Sequence, residues 1–326
     1  MTIAFPGWAA LALLCPIGSA FAGSPQPSDA QWLLQRMARA AHELSFSGTI
    51  VYQHGSLMEA SRIHQYVEAG NEYQRLETLD GPKREIICNN GEVLTYFPDS
   101  RLLRVEKRMV NLAFPALLPE QMDAITENYT LRQGDPVRIA GFDAISLSLE
   151  PRDGMRYGHK LWADAATGLL LRARMMDEQS RIVEQVMFTQ LKIGGVGRDA
   201  IKSSIHATFP PWRLDRFANN PLAQLESHWG VRSWPPGFRK VNEMRRGREG
   251  APASVTHLVY SDGLAAVSVF IEPLAGRSEA AITGLARQGA THIYTRILDD
   301  QLVTVLGETP AVTVMQIGNS VFYQGK

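Results

Sequence analysis

Residues 49–106 read TIVYQHGSLMEASRIHQYVEAGNEYQRLETLDGPKREIICNNGEVLTYFPDSRLLRVE. Short runs rich in Val, Ile, Tyr and Thr lie at Thr49–Gln53, Arg62–Glu68, Glu72–Thr78, Arg84–Asn89, Val93–Phe97 and Arg101–Glu106. Between them stand His54-Gly55, Ala69-Gly70-Asn71, Asp80-Gly81-Pro82, Asn89-Asn90-Gly91 and Pro98-Asp99-Ser100. Gly and Asn there tolerate positive φ, and Pro pre-sets a turn. Links this short cannot join parallel neighbours, whose crossovers need a dozen or more residues. The stretch is therefore an antiparallel meander.

The pattern resumes further on, at Tyr129–Arg132, Val137–Ile139, Ala144–Leu149, Tyr157–Ala163, Leu169–Met176 and Ile182–Leu191. Between the two halves, Pro115 to Tyr129 reads as one or two short helical pieces with Leu117, Leu118, Met122 and Ile125 as the apolar face. Before them, Ser28 and Gln31 form a capping-box pattern. Ala30, Leu33, Leu34, Met37, Ala41 and Leu44 follow at helical spacing, a stripe that needs a surface to cover. About a dozen strands with two helical elements predict an α+β, β-rich fold built on one large, strongly curved sheet.

A second unit follows a Pro-rich and Asn-rich stretch, Phe209-Pro210-Pro211-Trp212 and Asn219-Asn220-Pro221. Ser261-Asp262-Gly263 between Val255–Tyr260 and Leu264–Ile271 predicts a hairpin. Ser278 to Arg287 reads as a helix, with strands Thr291–Leu298 and Gln301–Leu306 after it. Thr309-Pro310 opens a last helix to about Ile317. The expected division is a segment 1–22, a large β domain 23–200, a linker 201–222 and a small α+β domain 223–326.

Residues 1–22 look like a signal peptide. Leu11 to Leu14 lie in an apolar run broken by Pro16 and Gly18, and Ala20-Phe21-Ala22 fits a cleavage site. No Lys or Arg precedes the run. A run this short falls below the about 20 apolar residues that a spanning helix needs. Cleavage after Ala22 removes Cys15 and leaves Cys88 as a lone thiol, so stability rests on packing. Lys+Arg and Asp+Glu are equal at 33 each, which gives no electrostatic case for nucleic acid. Arg245, Arg246 and Arg248 form a local basic run, read as a solvated loop or a contact for lipid phosphate.

Catalytic spacing is missing. There is no H-E-x-x-H, C-x-x-C or G-x-S-x-G. Gly195-Val196-Gly197 with Ala200 spells part of a dinucleotide fingerprint, but Ile201 to Phe209 alternates like a strand where that motif needs a helix. His159 near Tyr157 and Trp162 reads more plainly as a structural histidine than as a base. No metal or cofactor is expected, and the chain reads as a binding protein, not an enzyme.

A curved sheet that its helices only partly cover leaves an apolar trough, where each buried methylene of a ligand contributes about 0.8 kcal/mol. The lining expected from the early strands is Ile50, Tyr52, Ile63, Tyr66, Tyr73, Leu76, Ile86, Leu94 and Tyr96, with Leu117 and Leu118 from the helical pieces. Some of these are core in any case.

Several blocks resemble the MucB/RseB family of periplasmic sigma-factor regulators. They are Leu79 to Glu85 (LDGPKRE) with Tyr96-Phe97, and Arg152 to Tyr157 (RDGMRY) with Trp162-Ala163-Asp164 and Gly168 to Arg172. Val231 to Phe238 (VRSWPPGF), Tyr260 to Leu264 (YSDGL) and Gly307 to Val321 complete the set. The blocks occur in order along nearly the whole chain. The resemblance implies a large domain similar to the lipoprotein carriers LolA and LolB, an unclosed antiparallel β-barrel with helices in its mouth, beside a smaller α+β domain. It implies a periplasmic protein that binds the periplasmic part of a MucA/RseA-like anti-sigma factor and shields it from the site-1 protease. Lipid or lipopolysaccharide then releases it, which controls an envelope-stress sigma factor and, in the mucoid branch, alginate synthesis. It leaves room for a homo-oligomer. Trp and Arg are common interface anchors, so the expected partner contacts are Trp212, Arg213, Arg216, Trp229, Arg232, Trp234 and Phe238. Rival readings are a lipid or lipoprotein carrier, a hydrolase built around His159, and a structural envelope adaptor.

Overall fold

The computed structural model describes residues 29–89, 91–107, 114–119, 122–205, 211–216, 227–246, 255–274 and 283–325. The expected signal peptide, Arg248 and the side chains of Arg216, Arg245 and Arg246 lie outside this description.

Helix α1 (Asp29–Glu43) leads into strands β1 (Phe46–His54), β2 (Leu57–Glu68), β3 (Asn71–Thr78), β4 (Glu85–Asn89), β5 (Glu92–Phe97) and β6 (Leu102–Lys107). Helix α2 (Asp123–Asn128) precedes β7 (Tyr129–Ile139), β8 (Phe142–Pro151), β9 (Gly158–Asp164), β10 (Leu170–Met176) and β11 (Ile182–Ile193). With β12 (Arg213–Arg216) these form one twelve-stranded sheet in the order β12-β6-β5-β4-β3-β2-β1-β11-β10-β9-β8-β7. Both ends are edges, so the sheet is unclosed. Every pairing is antiparallel except β12 on β6, which is parallel. Helix α1 sinks Leu33, Leu34, Met37 and Ala41 against Phe46, Ile50, Ile63, Leu147, Leu161 and Phe188 on one face, called inner below. Gly48 is required there, because a Cβ would meet the Phe188 ring at 2.9 Å. Gln65 closes the helix end by donating to the carbonyls of Ala41 (2.6 Å) and Leu44 (3.0 Å).

The second unit holds β14 (Arg239–Arg246), β15 (Val255–Ser261), β16 (Ala266–Pro273), β17 (Gly284–Gln288), β18 (Thr291–Leu298) and β19 (Gln301–Gly307). They make a six-stranded sheet in the order β14-β15-β16-β19-β18-β17. Helix α3 (Ala311–Asn319) and the small ladder of β13 (Trp229–Val231) with β20 (Val321–Tyr323) cover one face around Leu258, Val267, Val269, Val305, Val314 and Ile317.

Several expectations are corrected. The helix expected over 278–287 is an edge strand from Gly284 onward, paired through Leu285↔Tyr294 and Arg287↔His292. Pairing and turn chemistry override the helix propensity of its Ala and Arg. Of the helical pieces over 115–129, only Asp123–Asn128 is an α-helix among the described residues. Ile201 ends a 3-10 turn that begins at Arg198, and 202–205 are not strand. The first unit also reaches past residue 200. Ser203 and Ser204 hydrogen-bond Glu85, and β12 lies inside the expected linker. Burial raises the Glu85 carboxyl, but the bonds from Ser203, Ser204 and Arg75 outweigh it and leave the group below the usual carboxylate range.

The two units meet at Arg156, just before β9. Its guanidinium reaches Asp153 (2.9 Å), Asp262 in the β15–β16 turn (2.5 Å) and the Pro236 carbonyl (2.5 Å), and it lies over the rings of Tyr129 and Phe238. The side chains of Arg156 and Asp262 have no exposure. Asp262 also accepts the amides of Leu264 and Ala265 and the Tyr129 hydroxyl. Gly237, at φ +78°, leaves room for Asn128, which a Cβ would meet at 2.1 Å.

Removing one member of such a pair strands the other, at a cost of about 3–5 kcal/mol. Arg156→Met is expected to lower the urea midpoint and to split one transition into two. Arg156→Met/Asp262→Leu regains part of the loss. An unchanged midpoint in the single variant would show that another contact holds the units together.

Candidate functional site

Register decides which side chains share a face. The inner row runs Gly48–Ile63–Leu76–Ile86 across β1 to β4, with Ile50 and Tyr52 further along β1. Ile50 and Ile63 are buried under α1, and Leu76 packs against the same core. The rows Tyr66–Tyr73, Leu94–Ile87 and Tyr96–Glu85 project from the opposite, outer face. There the Tyr66 and Tyr73 rings meet at a tilt with centroids 6.1 Å apart, and Tyr96 and Leu94 join Ile87, Leu103, Ile205 and Trp212. Tyr73 and Tyr96 help to line an outer hollow of about 560 Å³. The single lining expected from the early strands is thus split between two faces.

A second cavity, of about 310 Å³, lies where the inner face meets the second sheet. Leu161, Ala173, Glu184 and Val186 of β9 to β11 form one wall, with Leu117 and Leu118 beside them. Leu264, Ser268, Leu306 and Glu308 of the second unit form the other. The volume falls at the lower end of ligand pockets, about 300–1,000 Å³. Here two carboxylates approach across the junction. Tyr52 donates to Glu184 at 2.8 Å. Burial raises the Glu184 carboxyl, and the Tyr52 bond only partly offsets it. Burial, then the charge of Glu184, pushes Glu308 up to about 7, against an opposing pull from His54. Burial pushes His159, on the same wall, down to about 4, which leaves a neutral imidazole at neutral pH. No group of His, Cys, Asp and Glu among the described residues is arranged to hold a metal.

The expected partner residues do not form one patch. Trp212 packs edge-on against Tyr96 at 5.2 Å, on the outer face of the first sheet. Arg213 sits in the β12 edge strand beside Leu102, and Arg216 ends that strand. Trp229 meets Tyr323 at 5.0 Å, and Arg232 covers the Phe322 ring at 4.7 Å. Phe238 is buried in the joint with Arg156. Trp234 is 45% exposed and stacks on Tyr260. Sequence reading missed Glu184, Glu308 and the wall from Leu161 to Val186. Their signal, a single carboxylate within β11 or just after β19, becomes legible only when the distant strands are brought together.

The fold and cavity define a class: a β-rich two-unit protein with a cavity shared between the units. The MucB/RseB N-terminal domain model matches residues 29–210 and the C-terminal domain model matches 223–322. The chain therefore belongs to the MucB/RseB family. It is 33% identical over 326 residues to the sigma factor AlgU regulatory protein MucB of Pseudomonas aeruginosa, with 95% of this chain and 96% of that protein covered. It is 24% identical to the sigma-E factor regulatory protein RseB of Haemophilus influenzae, with 92% and 93% covered. The solved Pseudomonas aeruginosa MucA/MucB complex superposes with a TM-score of 0.71 at 29% identity, over 92% of this chain and all of that one. Among the described residues, no helix is long and apolar enough to cross a membrane.

Linkage gives a sign. Glu308 is raised from 4.5 to about 7, so the folded state binds more protons than the unfolded one across that window. Stability from this group is present below pH 4.5 and is lost as pH rises through about 7. His159, lowered from 6.5 to about 4, acts in the opposite sense below 6.5. In thermal melts, Glu308→Gln is expected to remove a decline between pH 6.5 and 8. An identical decline in the variant would rule Glu308 out as its source.

Proposed function

We propose that this chain is a periplasmic negative regulator of a sigma factor. It binds the periplasmic region of a membrane anti-sigma factor, shields that region from the site-1 protease, and lets go when lipid or lipopolysaccharide binds. The observation that carries this reading is the cavity between the units, because an occupant there touches both and so biases their arrangement. Membership of a family whose relative MucB forms a complex with MucA supports the choice of partner. The protein works by binding, not catalysis.

In this reading the acyl chain enters beside Leu117, Leu118 and Tyr52, toward Leu161 and Val186. Ile50, Ile63 and Leu76 are core beneath α1 and support the cavity from behind, so of the expected inner row only Tyr52, through Glu184, reaches its wall. The first unit runs from about residue 23 through β12, and the second starts near residue 223. Partner contacts are proposed at Arg213, Arg232 and Trp234, the outward members of the expected set among the described side chains, and at Arg216, which ends the same strand as Arg213. Trp212, Trp229 and Phe238 position them. A partner segment that orders on binding loses the extended conformations that proteases require.

Lipid releases the partner only if it binds the two arrangements with different affinity, and the coupling is reciprocal. Titrating lipid with and without anti-sigma peptide tests it. Peptide is expected to weaken lipid binding about 5- to 150-fold, the span of typical coupling energies. Equal affinities would sink the switch.

Ala173→Met narrows the cavity. It is expected to weaken acyl binding about tenfold by displacing two methylenes of about 0.8 kcal/mol each, while peptide binding in the absence of lipid stays unchanged. Loss of both binding events would show that the variant disturbs more than the cavity.

A further inference from the structure

The outer face of β8 to β10 carries a cluster of positive charge that no carboxylate among the described residues pairs with. Lys160 and Arg174 are direct cross-strand partners, and Arg172 lies opposite Trp162. Like charges directly opposite in an antiparallel pair destabilise it. All three cations sit over the one Trp162 ring, at 5.3, 5.5 and 5.2 Å for Lys160, Arg172 and Arg174. Trp162 is only 7% exposed, so the ring is a fixed platform.

The neighbours on this face do not supply the missing anion. Arg174 donates to the Gln185 side chain at 2.9 Å and Arg172 to the Met187 sulfur at 3.4 Å, both uncharged. Ser146 and Ser148 stand opposite Trp162 and Lys160 on β8. Of the carboxylates on these strands that share this face, Glu150 pairs with Arg132 at 2.8 Å, and Asp164, two residues from Trp162, accepts the Thr167 amide and hydroxyl. No ion pair to Lys160, Arg172 or Arg174 occurs among the described residues. The Arg172 Nε is buried without a hydrogen-bond partner. Buried donors in native proteins are almost always paired, so this one marks a place for an acceptor.

We infer that Lys160, Arg172 and Arg174, seated on Trp162, form a binding site for a single phosphate-type oxyanion. Three cations gathered on one ring match the charge of about −1.5 to −2 that a phosphate monoester carries at neutral pH. Arginine forks and a lysine point charge are the usual donors to such a group. By register the three side chains leave the sheet on the face opposite Leu161 and Ala173, while Arg174 also borders the interdomain cavity; the site does not depend on the function proposed for that cavity. The phosphate can be free or can belong to a lipid headgroup.

The test uses the full mature chain with ¹⁵N-labelled tryptophan, the Trp162 indole signal being assigned with Trp162→Phe. Inorganic phosphate is titrated at constant ionic strength, and vesicles of phosphatidylglycerol or phosphatidylcholine form parallel arms. Phosphate is expected to shift the Trp162 signal saturably. Lys160→Gln and Arg174→Gln should each weaken that binding by about tenfold, the loss of one charge-assisted hydrogen bond. In phosphate-free buffer Arg174→Gln should melt no lower than the unmodified chain, because it relieves repulsion. That readout separates a ligand site from a merely structural cluster. Phosphate binding together with a response to phosphatidylglycerol vesicles assigns a headgroup source; phosphate binding alone assigns a free anion. A Trp162 signal unmoved by phosphate, a response to vesicles only, or equal affinities in the variants would overturn the site.

Discussion

One buried guanidinium organises this molecule. Arg156 has no contact with water, so its charge must be met by protein, and its partners come from both units: Asp153 from the first, Asp262 and the Pro236 carbonyl from the second. Desolvating such a charge is costly, and only near-complete coordination offsets it. The same Asp262 that receives Arg156 also holds the β15–β16 turn through the Leu264 and Ala265 amides. Leu264, fixed in this way, packs into the first unit's core and lines the cavity. Salt bridge, turn and cavity wall are one connected arrangement. A cleft of freely variable width, the simplest expectation for two units on a linker, is replaced by a joint with a definite anchor.

Much of the fold was legible, because alternation and turn chemistry are local. Runs punctuated by Gly70-Asn71, Asp80-Gly81 and Asn89 to Gly91 appear as antiparallel neighbours in the order read. The register of Ile63 on Leu76 and of Tyr66 on Tyr73 follows from those turns. Parity along β2 already separates Ile63 from Tyr66, yet nothing local says which of the two faces α1 covers. The lining was therefore read as one surface although it belongs to two. Strand β14 escaped notice because RKVNEMRR is too charged to resemble a buried strand. It lies at a sheet edge, where charge protects against further pairing. The expected helix over 278–287 failed for a related reason, since β17 is an exposed edge whose pairing partner β18 follows after a short turn.

The site was less legible than the fold. Leu117 and Leu118, read as part of one apolar face, border the cavity while packing on the core. Glu184 and Glu308 were not read from the sequence, because each is a single acid in an otherwise ordinary strand or turn. They acquire meaning only across the junction, where the charge of Glu184 adds to the cost of ionising Glu308. Arg156 and Asp262 fall inside blocks that the family resemblance picked out, but their pairing over 106 residues of sequence is a fact of tertiary structure.

The junction thus contains two electrostatic contacts of opposite sign. Arg156 with Asp262 attracts and is sealed from solvent, so salt screens it little. Glu184 with Glu308 repels once both ionise, and it borders the cavity, where solvent or a ligand sets its strength. An apolar occupant that displaces water lowers the local dielectric and increases the cost of keeping both carboxylates charged. The system then has two ways to respond. It takes up a proton on Glu308, or it moves the second unit so that the carboxylates separate. Both routes run through the same pair, and the attractive joint limits movement to rearrangements that keep Arg156 coordinated. In the proposed function, occupancy of the small cavity would be converted in this way into a directed change between the units, with no need for the ligand to reach the proposed partner contacts.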